Sequence, residues 1–291
     1  MDHIAQIPFV HRLPMTRIKI FLARILYRVI RVILRTNIHI IRRNEVFYEV
    51  DLSEGIDLSL FVFGIFQSHI LSNNYVSLPP DAIIFDIGAN IGSMSFSFAM
   101  QSPHGIVYAF EPTDFAFSKL IRNLSLNPAI STRIIPVQLF INDHSTTMHQ
   151  LTAYSSWKVD GSHVSTHPLH CGTIQPANQV PAITLDDYCQ KNNIHRVDMI
   201  KIDTDGHEHQ VLRGACKTIE KHHPYIIFEM GLSLMEEFGF SFEECFRYFS
   251  SLGYTLLNCK NGKHITMENY YKEIPWSFTI DIVAIPTKRS Y

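Results

Sequence analysis

The chain has 291 residues, with 25 Lys plus Arg against 27 Asp plus Glu, so it can bury a full α/β core and is nearly neutral. That balance argues against a nucleic-acid-binding protein, since such proteins depend on neutralising phosphates. Five cysteines without a Cys-x-x-Cys pair argue against a disulfide framework or a zinc site, and they predict a reducing, cytoplasmic location.

The first predicted element is a basic amphipathic helix within Arg17–Arg35. One helical stripe holds Arg24, Arg28, Arg31 and Arg35, and another holds Ile18, Leu22, Ile25, Val29 and Val32. Regular charge of this kind argues against a transmembrane helix and against a cleaved signal peptide. Two alternatives remain open. The helix docks on its own domain with its arginines in water, or residues 17–35 make a peripheral contact with anionic lipid.

The sequence predicts three segments. An N-terminal helical extension (1–45) is followed by a short helical segment (46–78) and then by the main domain (79–291). From Ala82 onward, apolar strands alternate with helices. The predicted strands are "AIIFDIG", "IVYAFE", "RIIPVQLF", "VDMIKID", "YIIFEM", "YTLLN" and "FTIDIVAIP". The predicted helices are "SMSFSFAMQS", "DFAFSKLIRNLSLN", "LDDYCQKN", "EHQVLRGACKTIEK" and "FEECFRYFSSLG". Thr113, Thr184 and Ser241 provide N-caps, and Pro136 marks the third strand as an edge strand.

Alternation of this kind, with continuous apolar strands, predicts a Rossmann-like α/β domain. Its sheet should be mostly parallel with helices on both faces, and the last two strands should form an antiparallel pair at one edge. Ligands bind such sheets at the carboxyl ends of the strands. Acidic residues fall at four predicted strand ends, Asp86, Glu111, Asp203 and Glu229. Together they predict a binding site at that edge.

The strand-to-helix turn "DIGANIG" (Asp86–Gly92) indicates which nucleotide would bind. A dinucleotide-binding turn has a central glycine, which lets the backbone approach a pyrophosphate, and here that position is Asn90. The turn therefore argues against a dehydrogenase and favours a nucleoside without phosphates, such as S-adenosylmethionine. Glu111 stands 25 residues after Asp86, where an acid reaches the ribose diol in this type of fold.

Four segments carry a family resemblance. In chain order they are "FDIGANIGSMSFSFA", "FEPTDFAFSKLIRNLSLN", "VPAITLDDY" and "DMIKIDTDGHEHQVLRGA". Together they resemble the FkbM-type methyltransferases, S-adenosylmethionine-dependent O-methyltransferases acting on sugars and related hydroxyls. The resemblance covers roughly Phe47 to Pro286, and the earlier "IDLSLFVFGIFQSH" also fits. In the family, that segment commonly ends in a glutamate, and Gln67 takes its place in this chain.

The resemblance implies roles for particular residues. The methionine part of the cofactor should contact the first turn, at Asp86, Gly88, Asn90 and Gly92. Glu111 should bind the ribose hydroxyls, and Asn142 or Asp143 should face the adenine. The family often has Val-Glu-Gly where this chain has Thr204-Asp205-Gly206, so its acid is one carbon shorter here.

The catalytic residues are predicted in "DTDGHE" (Asp203–Glu208). Methyl transfer from a sulfonium needs an acceptor oxygen held in line and a base for its proton. Asp203 should lie beside the transferring methyl group. His207 is a candidate base because histidine titrates near neutrality, while Asp205 and Glu208 should face substrate hydroxyls. These acids could also hold Mg²⁺, but we expect no obligatory metal.

Two further features complete the predicted site. Lys201, inside a central strand, needs a partner, and the sequence suggests Glu229, which is also a candidate substrate-binding residue. The long loop Ser155–Gly172 contains Trp157, a candidate platform for a sugar ring. Its three histidines and Cys171 match no structural zinc pattern.

The predicted function is transfer of a methyl group to a hydroxyl of a carbohydrate, glycan or natural-product precursor. The main alternative is a metal-dependent glycosyltransferase in which Asp203-Thr204-Asp205 is an Asp-x-Asp pair that binds Mn²⁺ and a nucleotide sugar. A non-catalytic scaffold that recruits partners through the arginine-rich helix ranks last, because it leaves the strand-end acids unexplained.

Overall fold

A computed structural model describes residues 15–64, 67–146, 151–155, 158–160, 173–177 and 180–287, with side chains undescribed at 15–19, 151–155 and 173–177. The strands are β1 (Ile38–Arg43), β2 (Val46–Asp51), β3 (Ile83–Ile87), β4 (Ile106–Phe110), β5 (Ile134–Val137), β6 (Phe140–Ile141), β7 (Leu151–Ser155), β8 (Thr173–Ala177), β9 (Ala182–Ile183), β10 (Met199–Ile202), β11 (Tyr225–Met230), β12 (Tyr254–Asn258) and β13 (Ile280–Pro286).

The helices are short apart from the first. They are α1 (Met15–Leu34), α2 (Gly55–Phe63), α3 (Ser68–Leu71), α4 (Ser93–Gln101), α5 (Asp114–Leu126), α6 (Pro128–Ser131), α7 (Leu185–Lys191), α8 (Glu208–Arg213), α9 (Cys216–His222), α10 (Leu232–Glu237), α11 (Phe242–Ser251) and α12 (Tyr270–Glu273). None of the helices in the described ranges has the length and apolarity needed to cross a membrane.

Within the described residues, seven strands form the central sheet in the order β12-β13-β11-β10-β3-β4-β5. The five strands from β11 to β5 are parallel, and β13 pairs antiparallel with both β11 and β12. Pro136 lies in the edge strand β5, where no further ladder bond is required of it. The predicted fold class is confirmed.

Side chains alternate between two hydrophobic cores on opposite faces of the sheet. Phe85 and Phe228 lie in one core, while Ile84 and Ile227, their neighbours along the same strands, lie in the other. Both cores are covered by helices, which explains why these strands are apolar at nearly every position.

The predicted helix over residues 208–221 is wrong in one respect, since the structure divides it into α8 and α9. The break is at Gly214, where a Cβ would lie 2.0 Å from the Asn142 carbonyl oxygen. The carboxylate of Asp186 then accepts hydrogen bonds from the backbone N–H groups of Lys217 and Thr218 at the start of α9. A tertiary contact and a cap from another helix therefore override the local helical pattern.

The N-terminal region differs from the predicted pattern in two ways. Strands β1 and β2 form an antiparallel hairpin that was not predicted and that crosses the proposed boundary at residue 45. Helix α1 docks on its own domain, and the side that docks is not the apolar stripe noted in the sequence. Ile20 and Tyr27 are buried, and the partly buried Ala23, Ile30 and Leu34 pack against the same core. The predicted stripe residues Leu22, Ile25, Val29 and Val32 are exposed instead.

Candidate active site

Four acidic side chains meet at the carboxyl edge of the parallel strands. Asp86 and Glu229 lie near the ends of β3 and β11, while Glu111 and Asp203 directly follow β4 and β10. These four strands are neighbours in the order β11-β10-β3-β4. The chain runs outward from β3 to β5 and returns on the other side of β3, so the order of strands switches between β3 and β10. This is where Rossmann-like sheets bind their ligands.

The turn after β3 is held against both neighbouring strands. Gly88 has φ +81°, and its missing Cβ gives room to the Asp203 backbone, because a Cβ there would lie 1.8 Å from the Asp203 carbonyl oxygen. The N–H groups of Gly88 and Ala89 both donate to the Phe110 carbonyl at 2.9 Å. The glycine is therefore needed to bring the two strand ends together across the switch point.

Glu111 is a buried carboxylate with an ordered set of donors. Its Oε2 accepts from the Asn90 N–H at 3.0 Å, and its Oε1 accepts from the Thr113 N–H and Oγ1 at 2.9 and 2.5 Å. Burial raises the pKa of Glu111, and these hydrogen bonds oppose the rise. Because Oε2 accepts only one of these hydrogen bonds, it can accept another from a donor such as a ribose hydroxyl.

Lys201 pairs with two carboxylates across the switch point. Its Nζ lies 3.0 Å from Asp203 Oδ2 and 3.6 Å from Asp86 Oδ1. The predicted pairing of Lys201 with Glu229 is wrong, because the β3–β10 register places Lys201 directly beside Asp86. Glu229 instead accepts a hydrogen bond from the Thr279 hydroxyl.

The two carboxylates beside Lys201 differ in their proton affinity. Burial acts to raise the pKa of Asp203, but the Lys201 charge and hydrogen bonds from Lys201 and Gln67 outweigh it and hold that pKa below its usual value. Burial raises the pKa of Asp86, against the Lys201 charge and a 2.5 Å hydrogen bond from the Ser95 hydroxyl. Asp203 is therefore a fixed negative charge at the edge of the sheet.

Gln67 reaches the site from the segment before the first strand of the sheet. Its Nε2 donates to Asp203 Oδ2 at 2.9 Å, and its backbone is left-handed, with φ 50° and ψ 45°. An amide can donate to Asp203 whereas the family's usual glutamate could not do so when ionised. The replacement noted in the sequence thus places a neutral donor beside a carboxylate.

Three side-chain oxygens at this edge are buried and accept no hydrogen bond within the described residues. They are Gln67 Oε1, Asp86 Oδ1 and Asn142 Oδ1. A buried acceptor without a partner costs roughly 1–3 kcal/mol. Asp86 Oδ1 has the Lys201 ammonium 3.6 Å away, so this cost applies to the two amide oxygens. Their positions on different elements around one edge fit a ligand that presents several donors.

The predicted adenine-side residues follow β6, which pairs with β9 beside the central sheet. Asn142 directly follows β6, is buried, and donates its N–H to the Ile183 carbonyl at 3.0 Å. Asp143 is exposed and contacts His144 at 2.5 Å. Of the two candidates, Asn142 is the one whose side chain points an unsatisfied acceptor inward.

Glu208 holds the acidic loop after β10 in shape. Its carboxylate accepts from the Thr204 N–H and hydroxyl at 2.9 and 3.0 Å and from the Gly206 N–H at 3.1 Å. These contacts give Glu208 a loop-organising role, and its contact with a substrate hydroxyl stays a prediction. The loop also places Asp205 in a left-handed conformation, φ 52°.

Asp205 and Glu229 are the acids that most resist ionisation. Burial, followed by the charges of Asp203 and Glu208, raises the pKa of Asp205 well above its usual value. Burial, followed by the charges of Asp203, Asp281 and Asp205, does the same for Glu229. Raised carboxylate pKa values in a cleft are typical of groups that accept or hold a proton near neutral pH.

His207 lies beside the same loop, with Nδ1 2.6 Å from Gln210 Oε1 and its ring against those of Phe140 and Phe238. In the neutral tautomer that donates from Nδ1 to this amide oxygen, Nε2 carries the lone pair. Trp157 and the loop histidines lie outside the described residues. Among the residues that are described, no three His, Cys, Asp or Glu side chains are grouped to hold a metal ion.

Sequence reasoning missed two contacts of the strand-end acids and paired Lys201 with the wrong acid. Ser95 binds Asp86 from helix α4, and Thr113 binds Glu111. The predicted capping role of Thr113 was a usable signal, since a cap next to a strand-end acid brings its hydroxyl close to that acid. Ser95 gives no such signal in the sequence.

Comparison with known proteins identifies the family of the chain. A family model described as the methyltransferase FkbM domain matches residues 86–256, more than half of the chain. The hexuronic acid methyltransferase AglP of Haloferax volcanii is 22% identical over 140 residues, covering 48% of this chain and 52% of AglP. The 2-O-methyltransferase NoeI of Sinorhizobium fredii is 26% identical over 150 residues, covering 49% of this chain and 60% of NoeI.

Among solved structures, methyltransferase FkbM from Methylobacillus flagellatus KT superimposes with a TM-score of 0.45 and 14% identity, covering 74% of this chain and 47% of that one. The chain spans about half to three fifths of the length of the two curated relatives. The sheet order and the family match define a methyltransferase domain with a Rossmann-like fold. The chain belongs to the FkbM methyltransferase family.

Proposed function

We propose that this protein transfers a methyl group from S-adenosylmethionine to a hydroxyl of a carbohydrate or glycan precursor. The observation that supports the cofactor assignment is a set of three buried oxygens that accept no hydrogen bond among the described residues. They are Gln67 Oε1, Asn142 Oδ1 and Asp86 Oδ1, the last of which also lies 3.6 Å from the Lys201 ammonium. S-adenosylmethionine presents an ammonium, a ribose diol and an adenine amine, all of which donate hydrogen bonds. A pyrophosphate would instead need donors from the protein.

Each part of the cofactor has a candidate partner along the edge of the sheet. We assign the ammonium to Asp86 and Gln67 beside the Gly88–Gly92 turn, the ribose diol to Glu111 and the adenine amine to Asn142. The first of these positions lie at neighbouring strands of the sheet, β10, β3 and β4, and Asn142 follows β6, which pairs with β9 outside that sheet. Asp203, ionised and held by Lys201, would face the sulfonium.

The chemistry then requires a proton acceptor for the substrate hydroxyl. The cofactor supplies an electrophilic methyl group with a neutral leaving sulfide, so no general acid is needed. Asp203 is poorly suited as the base because its pKa is lowered. We propose Asp205, whose pKa is raised, with His207 as the alternative base. Asp205→Asn should abolish turnover while His207→Gln retains it, and the reverse result would transfer the role to His207.

The carbohydrate class is supported by two relatives named for a hexuronic acid and for 2-O-methylation. Trp157 stays a predicted sugar platform, Glu229 a predicted substrate contact, and polysaccharide biosynthesis a predicted context. Family membership disfavours the glycosyltransferase alternative. We expect no obligatory metal, so dialysis against EDTA should leave activity intact. Activity that vanishes and returns with Mg²⁺ or Mn²⁺ would overturn this expectation.

Calorimetric titration with S-adenosylhomocysteine tests the cofactor assignment. Wild-type protein should bind with micromolar affinity, about −8 kcal/mol, and Glu111→Ala should lose well over tenfold. Glu243→Ala, an exposed acid on α11, is the control and should bind as wild type. A melting curve of Glu111→Ala separates lost binding from unfolding. No binding by the wild type would contradict the proposal, and a UDP-sugar with Mn²⁺ would be titrated next.

A further inference from the structure

Helix α1 presents a broad apolar surface to solvent. Its docked stripe runs through Ile20, Tyr27 and Leu34, and Tyr27 donates from its hydroxyl to Asn37 at 3.1 Å. With 100° between successive residues, the opposite side of the helix carries an outer α1 face made of Phe21, Leu22, Ile25, Val29, Val32 and Ile33. All six are exposed, Val32 by 80% and Ile33 by 71%.

Such a surface is unusual on a helix that is already docked. A helix that only covers its domain has an apolar stripe on the docked side and polar residues outside. Here both sides are apolar, and the outer face is continuous from Phe21 to Ile33, more than three turns. Contiguous exposed apolar patches of this kind mark interaction surfaces.

The charges on α1 indicate the chemistry of its partner. The helix contains no Asp or Glu, and the exposed Arg24, Arg28 and Arg35 follow one another on a single flank between the docked stripe and the outer face. Arg31, on the same side, donates to the Arg35 carbonyl at the end of the helix. An apolar face bordered by a purely basic flank complements a surface that is apolar inside and anionic at its boundary.

We propose that the outer α1 face binds an anionic lipid bilayer, with the helix axis parallel to the membrane plane. The six apolar side chains would enter the boundary between headgroups and acyl chains, while the arginines reach the headgroup phosphates. A second copy of the chain is a poorer occupant, because antiparallel pairing through this face would align the two arginine flanks. The proposal does not depend on the methyl-transfer assignment.

Flotation of the full-length protein with vesicles tests this proposal. Vesicles containing one third phosphatidylglycerol should carry the protein upward, and pure phosphatidylcholine vesicles should carry much less. Val29→Asp/Val32→Asp should abolish flotation. Arg24→Gln/Arg28→Gln should weaken it roughly 25-fold, about fivefold for each charge at an anionic surface. Ile121→Asp, an exposed position on α5, is the matched control and should float as wild type.

Three results would overturn the proposal. They are flotation of Val29→Asp/Val32→Asp equal to wild type, equal binding to neutral and anionic vesicles, and a wild-type dimer that this variant converts to a monomer without any vesicle binding. An unchanged melting temperature and an unchanged titration with S-adenosylhomocysteine show that the variant is folded. They also keep a failure of lipid binding distinct from a failure of the proposed enzymatic function.

Discussion

The buried Lys201 ammonium group permits a quantitative test of the site's electrostatics. Lys201 is 2% exposed, and its partners are Asp203 at 3.0 Å and Asp86 at 3.6 Å. Lys201→Met keeps the length of the apolar stem and removes the charge. Removal of one partner from a buried ion pair leaves an uncompensated charge, so the free energy of unfolding should fall by about 3–5 kcal/mol at neutral pH.

The size of this loss should depend on pH with a defined sign. In the wild type the pKa of Asp203 is lowered, so its contribution to stability is present above about pH 4 and is lost as the pH falls through the folded-state pKa. In Lys201→Met both carboxylates lack their cation, and their pKa values rise above those of the unfolded chain. Protonation of the carboxylates then removes their uncompensated charge. The loss in free energy of unfolding relative to the wild type should therefore shrink in acid.

Urea unfolding at neutral pH and near pH 4.5 measures both effects. Lys263→Met is the matched control, because Lys263 forms an exposed pair with Glu273 at 3.2 Å. Its loss should stay below about 1 kcal/mol. Adding Asp203→Asn to Lys201→Met should restore part of the stability. A deficit below about 1 kcal/mol at neutral pH, or one that is undiminished in acid, would refute the electrostatic account of this network.

Further expected outcomes concern the turn, the acidic loop and a helix cap. Gly88→Ala should lose S-adenosylhomocysteine binding or fail to fold, because its Cβ would lie 1.8 Å from the Asp203 carbonyl oxygen, whereas Gly239→Ala, with φ +65° and open space, should fold and bind normally. Asp205→Asn should be more stable to urea than the wild type at about pH 8 and equal to it near pH 4. The folded-state pKa of Asp205 is raised, so its ionisation opposes folding as the pH rises. An unchanged urea midpoint at pH 8 would contradict this. Ser241→Ala should cost about 1 kcal/mol in the same unfolding assay, since it removes the cap of α11, and a midpoint equal to the wild type would argue that the cap contributes nothing.

Local chemistry explains what could be predicted from the sequence. Thr113, Thr184 and Ser241 each cap a helix as expected, because an N-cap depends only on residues within one turn. The strands were predictable because burial on both faces demands apolar residues at nearly every position. The alignment of four strand-end acids followed from the general rule for parallel sheets rather than from any single motif.

Long-range geometry explains what could not be predicted. The partner of Lys201 depends on strand register, and register places Asp86 beside it while Glu229 pairs with Asp281 on β13. The break at Gly214 depends on a carbonyl 72 positions earlier in the chain, that of Asn142. The side of α1 that docks could not be predicted because the helix is apolar on two sides, so periodicity alone could not say which side meets the domain.

The N-terminal region and the active site are connected through one segment of chain. Helix α1 packs against α2, and soon after α2 ends at Phe63 the chain reaches Gln67, whose amide contacts the catalytic candidate Asp203. Lipid bound to the outer α1 face would therefore lie across helix α1 from the segment that leads to the site. A glycan carried on a lipid is the acceptor that satisfies both proposals, since its sugar would approach the strand ends while its lipid stays in the bilayer. Anionic vesicles should then raise the rate with a lipid-linked acceptor but not with a free sugar, and Val29→Asp/Val32→Asp should remove that difference. Equal stimulation of both acceptors would mean that the membrane acts on the enzyme and not on the delivery of its substrate.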